Sequence, residues 1–401
     1  MTQSPITDTT RIALLLCASL GPDAAAAKPL GPQEFYRFAQ AVQKAGMKLR
    51  DLNTSETEDQ LPVLVEAANL DLARIQTLLV RGVALSFRIQ EWMEVGIWAI
   101  SRLDKSYPVR LKARLGPSAP PVLFGRGPVE ILDTNAALGV VGSREATAEA
   151  LQFATLLGEA AAAREWTIVS GSARGVDRES MGAALNVGGS VIGVEHSGLK
   201  KSALERGLRD YFRTSLVLIS PYAPEAGFSV GNAMGRNKLV YALSAGTVAV
   251  HSGTSGGTWE GVLENLKQQW VPVWIPADID SPGRAGLLKA GATEFDGDWP
   301  PVDHTAMEPA IAPTEPSAPL ITTSAITDYA QFRTAAEARC ESPQSADDLA
   351  TALHLKKTQV SAWIRQATTE GWLVKAKAKG PWRYIRSDSP DPPDGQMLLL
   401  S

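Results

Sequence analysis

The sequence predicts an α/β protein: a Rossmann-like, doubly wound, mainly parallel sheet with an N-terminal helical module and a C-terminal winged helix. Three observations carry this. Between residues 106 and 297, short continuous apolar runs alternate with helical patterns, as strands buried on both faces do. Three of those runs end in Gly-containing turns that lead into a helix. The chain has 401 residues, 44% hydrophobic and 20% charged, too long for one ordinary domain and rich enough for more than one core.

Residues 8–105 read as a helical module of the SAM or helix-hairpin kind. "PQEFYRFAQAVQKAG" sets Phe35, Phe38, Ala39 and Val42 at helical spacing, with Gly46 as the stop. "LPVLVEAANLDLARIQTLLVRG" and "ALSFRIQEWMEVGIWAISRL" repeat the pattern, read as short helices joined by Gly-containing turns. The apolar run Ile12 to Leu16 follows Asp8 and Arg11 without net positive charge, which suits a helix better than a signal peptide.

Residues 106–297 form the expected Rossmann-like domain. Strands are read in "ALGVVGSR", "WTIVSGSARG", "SVIGVEH", "TSLVLIS", "TVAVHSG" and "VPVWIP". Helices are read in "TAEALQFATLLGEAAAARE", "DRESMGAALNVGG", "GRNKLVYALSAG" and "WEGVLENLKQQ". Right-handed crossovers then wind the sheet on both faces. Residues 298–322, rich in Pro, Ala and Thr, read as an extended linker. Residues 323–386 read as the winged-helix domain, and 387–401, with "SDSPDPPDG", as a disordered tail.

The bulk numbers narrow the function. Net charge is −4, so any affinity for nucleic acid must come from a local patch. Two distant cysteines, Cys17 and Cys340, make neither a disulfide framework nor a zinc site, and they suit a reducing cytoplasm. No stretch of about 18 apolar residues is long enough to span a membrane. No metal site or cofactor is expected.

The chemistry is expected where the parallel strands end, because their following loops share one rim. There the sequence collects "GSR" (142–144), "SGSARG" (170–175) and "TSGGT" (254–258). Each joins glycine to a hydroxyl and leads into a helix, whose exposed N–H groups favour an anion. The candidate phosphate ligands are Gly142, Ser143, Arg144, Ser170, Gly171, Arg174, Gly175, Ser255, Gly256 and Gly257. Arg144 and Arg174 supply forked donors. Arg236, Asn237 and Lys238, read at the start of a helix, are placed beside the same anion. Asp177 is read as a cap for the helix that follows it. None of these turns is a dinucleotide fingerprint or a P-loop, which disfavours an ordinary dehydrogenase or NTPase. Of the four histidines, at 196, 251, 304 and 354, the first two follow strands, where a packing role is expected. Phe228, Tyr241 and Trp259 are aromatic candidates for base stacking.

Together "YPVRL", "PPVLFGRG", "GVVGSR", "SGSARGVD", "GRNKLVYALS", "TSGGT" and "LLKAGA" resemble, in order and spacing, the DNA-processing protein A family, DprA, also called Smf. The resemblance implies an extended Rossmann-like domain that binds and protects single-stranded DNA. It also implies a homodimer and help in loading the recombinase RecA during DNA uptake and recombination. Carried over by motif, Ser143, Arg144, Ser170, Gly171, Arg174, Gly175, Arg236, Asn237 and Lys238 would line the DNA pocket. The chain departs from the family pattern at Lys238, usually arginine, and at Met181, usually histidine. It departs again at "SGGTWE", which is reminiscent of the loop of lysine-decarboxylase-like phosphoribohydrolases, the LOG family. That loop opens the alternative of an enzyme or sensor for a nucleotide-derived small molecule, in signalling or phage defence, with Glu260 acting at a ribose.

In the C-terminal module, Ser345 is read as a helix cap with Asp347 and Asp348 in the first turn. Val360, Trp363 and Ile364 are read as core. Residues 352–386 carry eight Lys or Arg against the single acid Glu370. Lys375, Lys377, Lys379 and Arg383 form a candidate basic wing, an electrostatic footprint for nucleic acid. Contact with another protein or with the first domain is the competing role for this module.

Overall fold

The computed structural model describes residues 6–21, 27–53, 59–297, 299–302, 329–337, 340, 344–353, 355, 357–376 and 383–386, in two compact units divided after residue 311.

The larger unit begins with α1 (Asp8–Cys17), α2 (Pro32–Lys44), α3 (Leu61–Ala67), α4 (Leu72–Leu79) and α5 (Gly82–Glu94). There follow β1 (Ile97–Ser101), α6 (Val109–Leu115), β2 (Val122–Arg126), β3 (Ala137–Gly142), α7 (Ala148–Ala163) and β4 (Thr167–Ser170). Next come α8 (Val176–Asn186), β5 (Val191–Val194), α9 (Lys200–Ala203), β6 (Leu216–Ser220) and α10 (Val230–Leu243). The unit ends with β7 (Gly246–His251), α11 (Gly257–Gln268), β8 (Val273–Pro276), α12 (Arg284–Lys289) and β9 (Thr293–Phe295).

One nine-stranded sheet runs in the order β1-β2-β6-β5-β4-β3-β7-β8-β9. From β6 to β9 every pair is parallel, whereas β2 pairs antiparallel with both neighbours. The expected doubly wound sheet is therefore present, extended at one end by an antiparallel pair. From β3 the chain winds through β4 and β5 to β6, then α10 carries it back to lay β7 on the other side of β3. The winding direction reverses at β3/β7, where the pairing is irregular between Val141 and Gly142. Such a reversal opens a crevice beyond the strand ends.

Burial on both faces explains the apolar runs. In β6, Leu216 and Leu218 point into the core shared with α7 and α8, while Val217 and Ile219 point into that shared with α10 and α6. The period of two is intact, but both sides are dry.

The first helices share the sheet's core. Ile12, Leu14, Phe35 and Phe38 pack in one cluster with Ile97, Ala99, Val122 and Phe124. Trp92 meets Phe124 edge-on, with ring centroids 5.2 Å apart. Here the helical expectation for "ALSFRIQEWMEVGIWAISRL" is corrected. The helix stops at Glu94, Gly96 turns the chain at φ 72°, and "IWAIS" is the fully buried strand β1. β-Branched and aromatic residues after a positive-φ glycine favour a pleated partner, and β2 supplies it.

The smaller unit contains α13 (Tyr329–Glu337), β10 (Gln344–Ser345), α14 (Ala346–Ala352), α15 (Lys357–Thr369), β11 (Leu373–Ala376) and β12 (Arg383–Arg386). Its antiparallel sheet runs β10-β12-β11. Phe332, Leu349, Val360, Ile364 and Leu373 form its core, with Trp363 packed against it. Ser345 and Asp348 exchange hydrogen bonds at 3.1 and 3.0 Å, a reciprocal cap at the start of α14.

Candidate functional site

At the reversal between β3 and β7, a cleft of about 400 Å3 opens at the strand ends. Its walls come from the turn after β3 (Gly142, Ser143, Arg144, Glu145), from Ala173 and Asp177 after β4, from Gly253 and Ser255 to Thr258 after β7, and from α10. The three Gly-rich turns read from the sequence thus meet in one place.

Each turn is built by a short-range constraint. Gly256 caps α11 at φ 92°, a backbone angle that a side chain resists. It presents the first N–H groups of that 12-residue helix to the cleft, where they have no partner within the helix. Asn237 fixes the turn from the other side by donating to the Gly257 carbonyl at 3.1 Å. After β3, Ser143 Oγ accepts the Glu145 N–H at 3.0 Å, and Arg144 stands exposed at the mouth with Glu145 beside it.

The turn after β4 has a different logic from the one expected. Gly171 is buried, and a methyl built there would overlap Arg236 Nη1 and lie 2.6 Å from Asp177 Oδ2. Arg236 Nη2 donates to the Gly171 carbonyl at 2.7 Å. The Asp177 carboxylate accepts backbone N–H groups of Ala173, Gly142 and Gly171. Gly175, at φ 82°, would put a methyl 2.5 Å from the Ser143 carbonyl. The group that demands glycine at 171 is therefore the protein's own buried Arg236, with Asp177 beneath it. At Gly175 the close neighbour is the turn after β3.

Electrostatics follow from that burial. Desolvation pushes Asp177 up to about 6, against the pull of Arg236 and the three N–H donors. Desolvation likewise lowers Arg236, opposed by Asp177 and Glu195. Burial also raises Glu195, and Arg236 opposes it. Asp177 and Arg236, which line the cleft, and Glu195, on the wall of a neighbouring hollow, compensate one another.

Several expectations are corrected by these positions. Asp177 is not a cap: Gly175 occupies that position, and the buried carboxylate ties the turns after β3 and β4 together. Arg236, Asn237 and Lys238 do not start their helix, because α10 begins at Val230 with Ser229 accepting the Asn232 N–H at 3.0 Å. Lys238 faces away from this cleft. It lines another hollow with Pro120, Pro121 and Tyr222, and its ammonium reaches the Ser118 carbonyl at 3.4 Å. Ser170 is buried and spends its hydroxyl on the Val140 carbonyl at 2.6 Å. Arg174 is exposed on the turn after β4 and does not line the cleft. Glu260 is exposed on the first turn of α11 and is likewise absent from the cleft wall.

Of the aromatic candidates, Tyr241 is fully buried and Trp259 packs against Gly286 and the core around α11, so neither is a free stacking surface. Phe228 is 58% exposed at the cleft edge. His251 is buried at the end of β7, and His196 lies edge-on to Phe228. Val230, Ala233 and Met234 line the cleft without having been expected there. Ser229, a good N-cap residue, was the signal that could have brought α10 forward.

On the smaller unit, Lys375 pairs with Tyr384, and Arg383 with Ala376, across β11 and β12. Lys377, Lys379, His304 and His354 lie outside the described residues. Among the described residues no group of three or more His, Cys, Asp and Glu could hold a metal ion. Among them, too, no helix is long and apolar enough to cross a membrane.

Comparison with known proteins gives a consistent picture. The family model described as DNA recombination-mediator protein A matches residues 98–297, about half of the chain. The chain is 29% identical over 200 residues to the DNA processing protein DprA of Bacillus subtilis, covering 49% of this chain and 67% of that one. It is 31% identical over 192 residues to protein Smf of Escherichia coli, covering 46% of this chain and 50% of that one. The chain thus spans between half and two thirds of these curated relatives. Its fold is similar to the X-ray structure of DNA processing protein A from Streptococcus pneumoniae, with a TM-score of 0.57, 20% identity, and coverage of 73% of this chain and 95% of that chain.

Proposed function

Since the chain belongs to the DprA/Smf family of DNA recombination mediators, we propose that it binds single-stranded DNA through the phosphates, with the cleft at the sheet's reversal as the site. It then protects the strand and hands it to a RecA-type recombinase, acting as a homodimer in DNA uptake or recombination. The observation that carries this reading is the meeting of three Gly-rich turns, Arg144 and the N-terminus of α11 around one cleft at that reversal. Backbone N–H groups and a helix N-terminus hold anions without reading bases. Ser143, Arg144, Asn237, Ser255, Gly256 and Gly257 touch the strand in this reading. Arg174 adds charge from the neighbouring turn, and Gly142, Gly171, Gly175 and Arg236 keep the turns in shape. The basic C-terminal unit contributes a further phosphate contact.

The chemistry of the cleft supports a binding protein over a hydrolase. Its two carboxylates are Glu145, exposed at the mouth, and Asp177, committed to three backbone N–H groups and Arg236. Glu260, the carboxylate that the LOG-like alternative needs, stands outside the wall.

The test is fluorescence anisotropy of the full chain with a labelled oligo-dT strand and with a duplex, over a salt series. The expected result is salt-sensitive binding, tighter for the single strand, that Arg144→Ala/Arg174→Ala abolishes. Binding unaffected by that double substitution sinks the assignment of the cleft. No binding to the strand, with a nucleotide bound instead in a Glu260-dependent way, replaces the reading with the small-ligand one.

A further inference from the structure

A second cleft, of about 870 Å3, lies beside the first and runs from the end of β5 along the face of β6 that meets α8. Met181 and Leu185 from α8, with Leu216 and Leu218 from β6, give it an apolar floor. Around it stand Arg178, Lys200 and Lys201 against Glu195, Glu205 and Glu225. Lys200 lies 3.8 Å from Glu91 and 3.9 Å from Glu225, so part of this charge is already compensated. An apolar floor under balanced charge suits a flat, uncharged group and not a phosphate.

Phe228 belongs to the walls of both clefts. Burying a phenyl ring is one of the larger gains available to a folding chain. This ring forgoes most of it, remaining 58% exposed on the loop between β6 and α10. It is nevertheless positioned: the His196 imidazole meets it edge-on, with centroids 5.0 Å apart and planes at 81°. Burial, with Arg236 and Arg144 nearby, holds the His196 pKa below its ordinary value, which favours the neutral imidazole.

We propose that Phe228 is a stacking platform for a nucleobase, and that a base of the strand whose phosphates occupy the first cleft turns over this ring into the second. The proposal rests on the single-strand reading and extends it from the backbone to the bases. Every base offers a π-face, so such a platform is tolerant of sequence. It also accounts for strand preference. A base in a duplex is paired and stacked, and must be unpaired before it can reach the ring. A base in a single strand is free to turn.

The test uses the full chain, an oligo-dT strand carrying one 5-iododeoxyuridine, long-wavelength irradiation and peptide mapping, alongside anisotropy over a salt series. The expected cross-link maps to Phe228 and survives Phe228→Trp. Phe228→Ala loses it and weakens binding on the order of 10-fold, with the slope of affinity against salt unchanged because no charge is removed. The side chain is exposed, so the alanine variant is expected to melt as the wild type does. Wild-type affinity in Phe228→Ala, or a cross-link mapping elsewhere, overturns the platform and leaves the single-strand reading standing. A wild type that binds no single strand overturns both.

Discussion

Gly171→Ala is the most informative single substitution, because it asks whether the glycine serves a ligand or the protein itself. The added methyl would overlap Arg236 Nη1 and sit 2.6 Å from Asp177 Oδ2, both buried. Forcing a methyl into a packed interior costs about 1–3 kcal/mol. Moving the guanidinium also strains its 2.7 Å bond to the Gly171 carbonyl. A bond from a charged donor contributes roughly 1.5–3 kcal/mol, so the variant is expected to lose about 3–5 kcal/mol. That is a large share of the ~5–15 kcal/mol by which proteins are stable. Urea unfolding followed by circular dichroism measures it, and Arg236→Met completes the cycle by removing the guanidinium while keeping an unbranched stem. In that background only the approach to Asp177 remains, so the methyl is expected to cost about 1–2 kcal/mol, giving a coupling of about 2–3 kcal/mol between positions 171 and 236. Equal costs in both backgrounds refute the reasoning. A stable Gly171→Ala that has lost only strand binding would return the glycine to the ligand.

Three further outcomes are expected. Arg144→Ala lowers the slope of log affinity against log salt by about 0.7, one phosphate contact on a single strand, and Glu145→Gln tightens binding by removing a like charge from the mouth; salt-series anisotropy reads both. Lys238→Ala leaves strand affinity within about twofold of the wild type, since its ammonium lies in another hollow, and a collapse of binding would put it back in the site. The third concerns pH. Asp177 is raised from an ordinary 3.8 to about 6 in the folded chain, so the folded state holds this proton more tightly than the unfolded one. Its contribution to stability is complete below pH ~4 and is lost as pH rises through about 6, a change of up to ~3 kcal/mol. Asp177→Asn does not titrate, so its stability relative to the wild type is expected to rise across that interval in urea titrations; a constant difference would show that the carboxyl is not held up by burial.

Much of the fold was legible because it is local. The strands β3 to β8 are continuous apolar runs bounded by Gly turns, and their alternation with helices leaves little but a parallel, doubly wound sheet. The three phosphate-type turns were legible for the same reason: glycine, hydroxyl and helix start lie within a few residues of one another. Strand β1 was not, because "IWAIS" continues the apolar pattern of α5, and only pairing with β2 decides its state. The start of α10 was hidden by Gly231 and Gly235, which weaken a helix that tertiary packing nonetheless holds.

What the sequence determined by itself is therefore the architecture and the composition of the rim, since periodicity and turn chemistry act over a few residues. Only the tertiary structure decided which cations face the cleft. Arg144, Arg236 and Lys238 look alike as letters, yet the first stands exposed at the mouth, the second is buried under Gly171, and the third lies in another hollow. The direction of a side chain on α10 depends on where that helix starts and which strands it crosses. Those are settled by contacts between residues far apart in the chain, and burial then decides whether a charge is free to meet a phosphate or is consumed in holding the loops together.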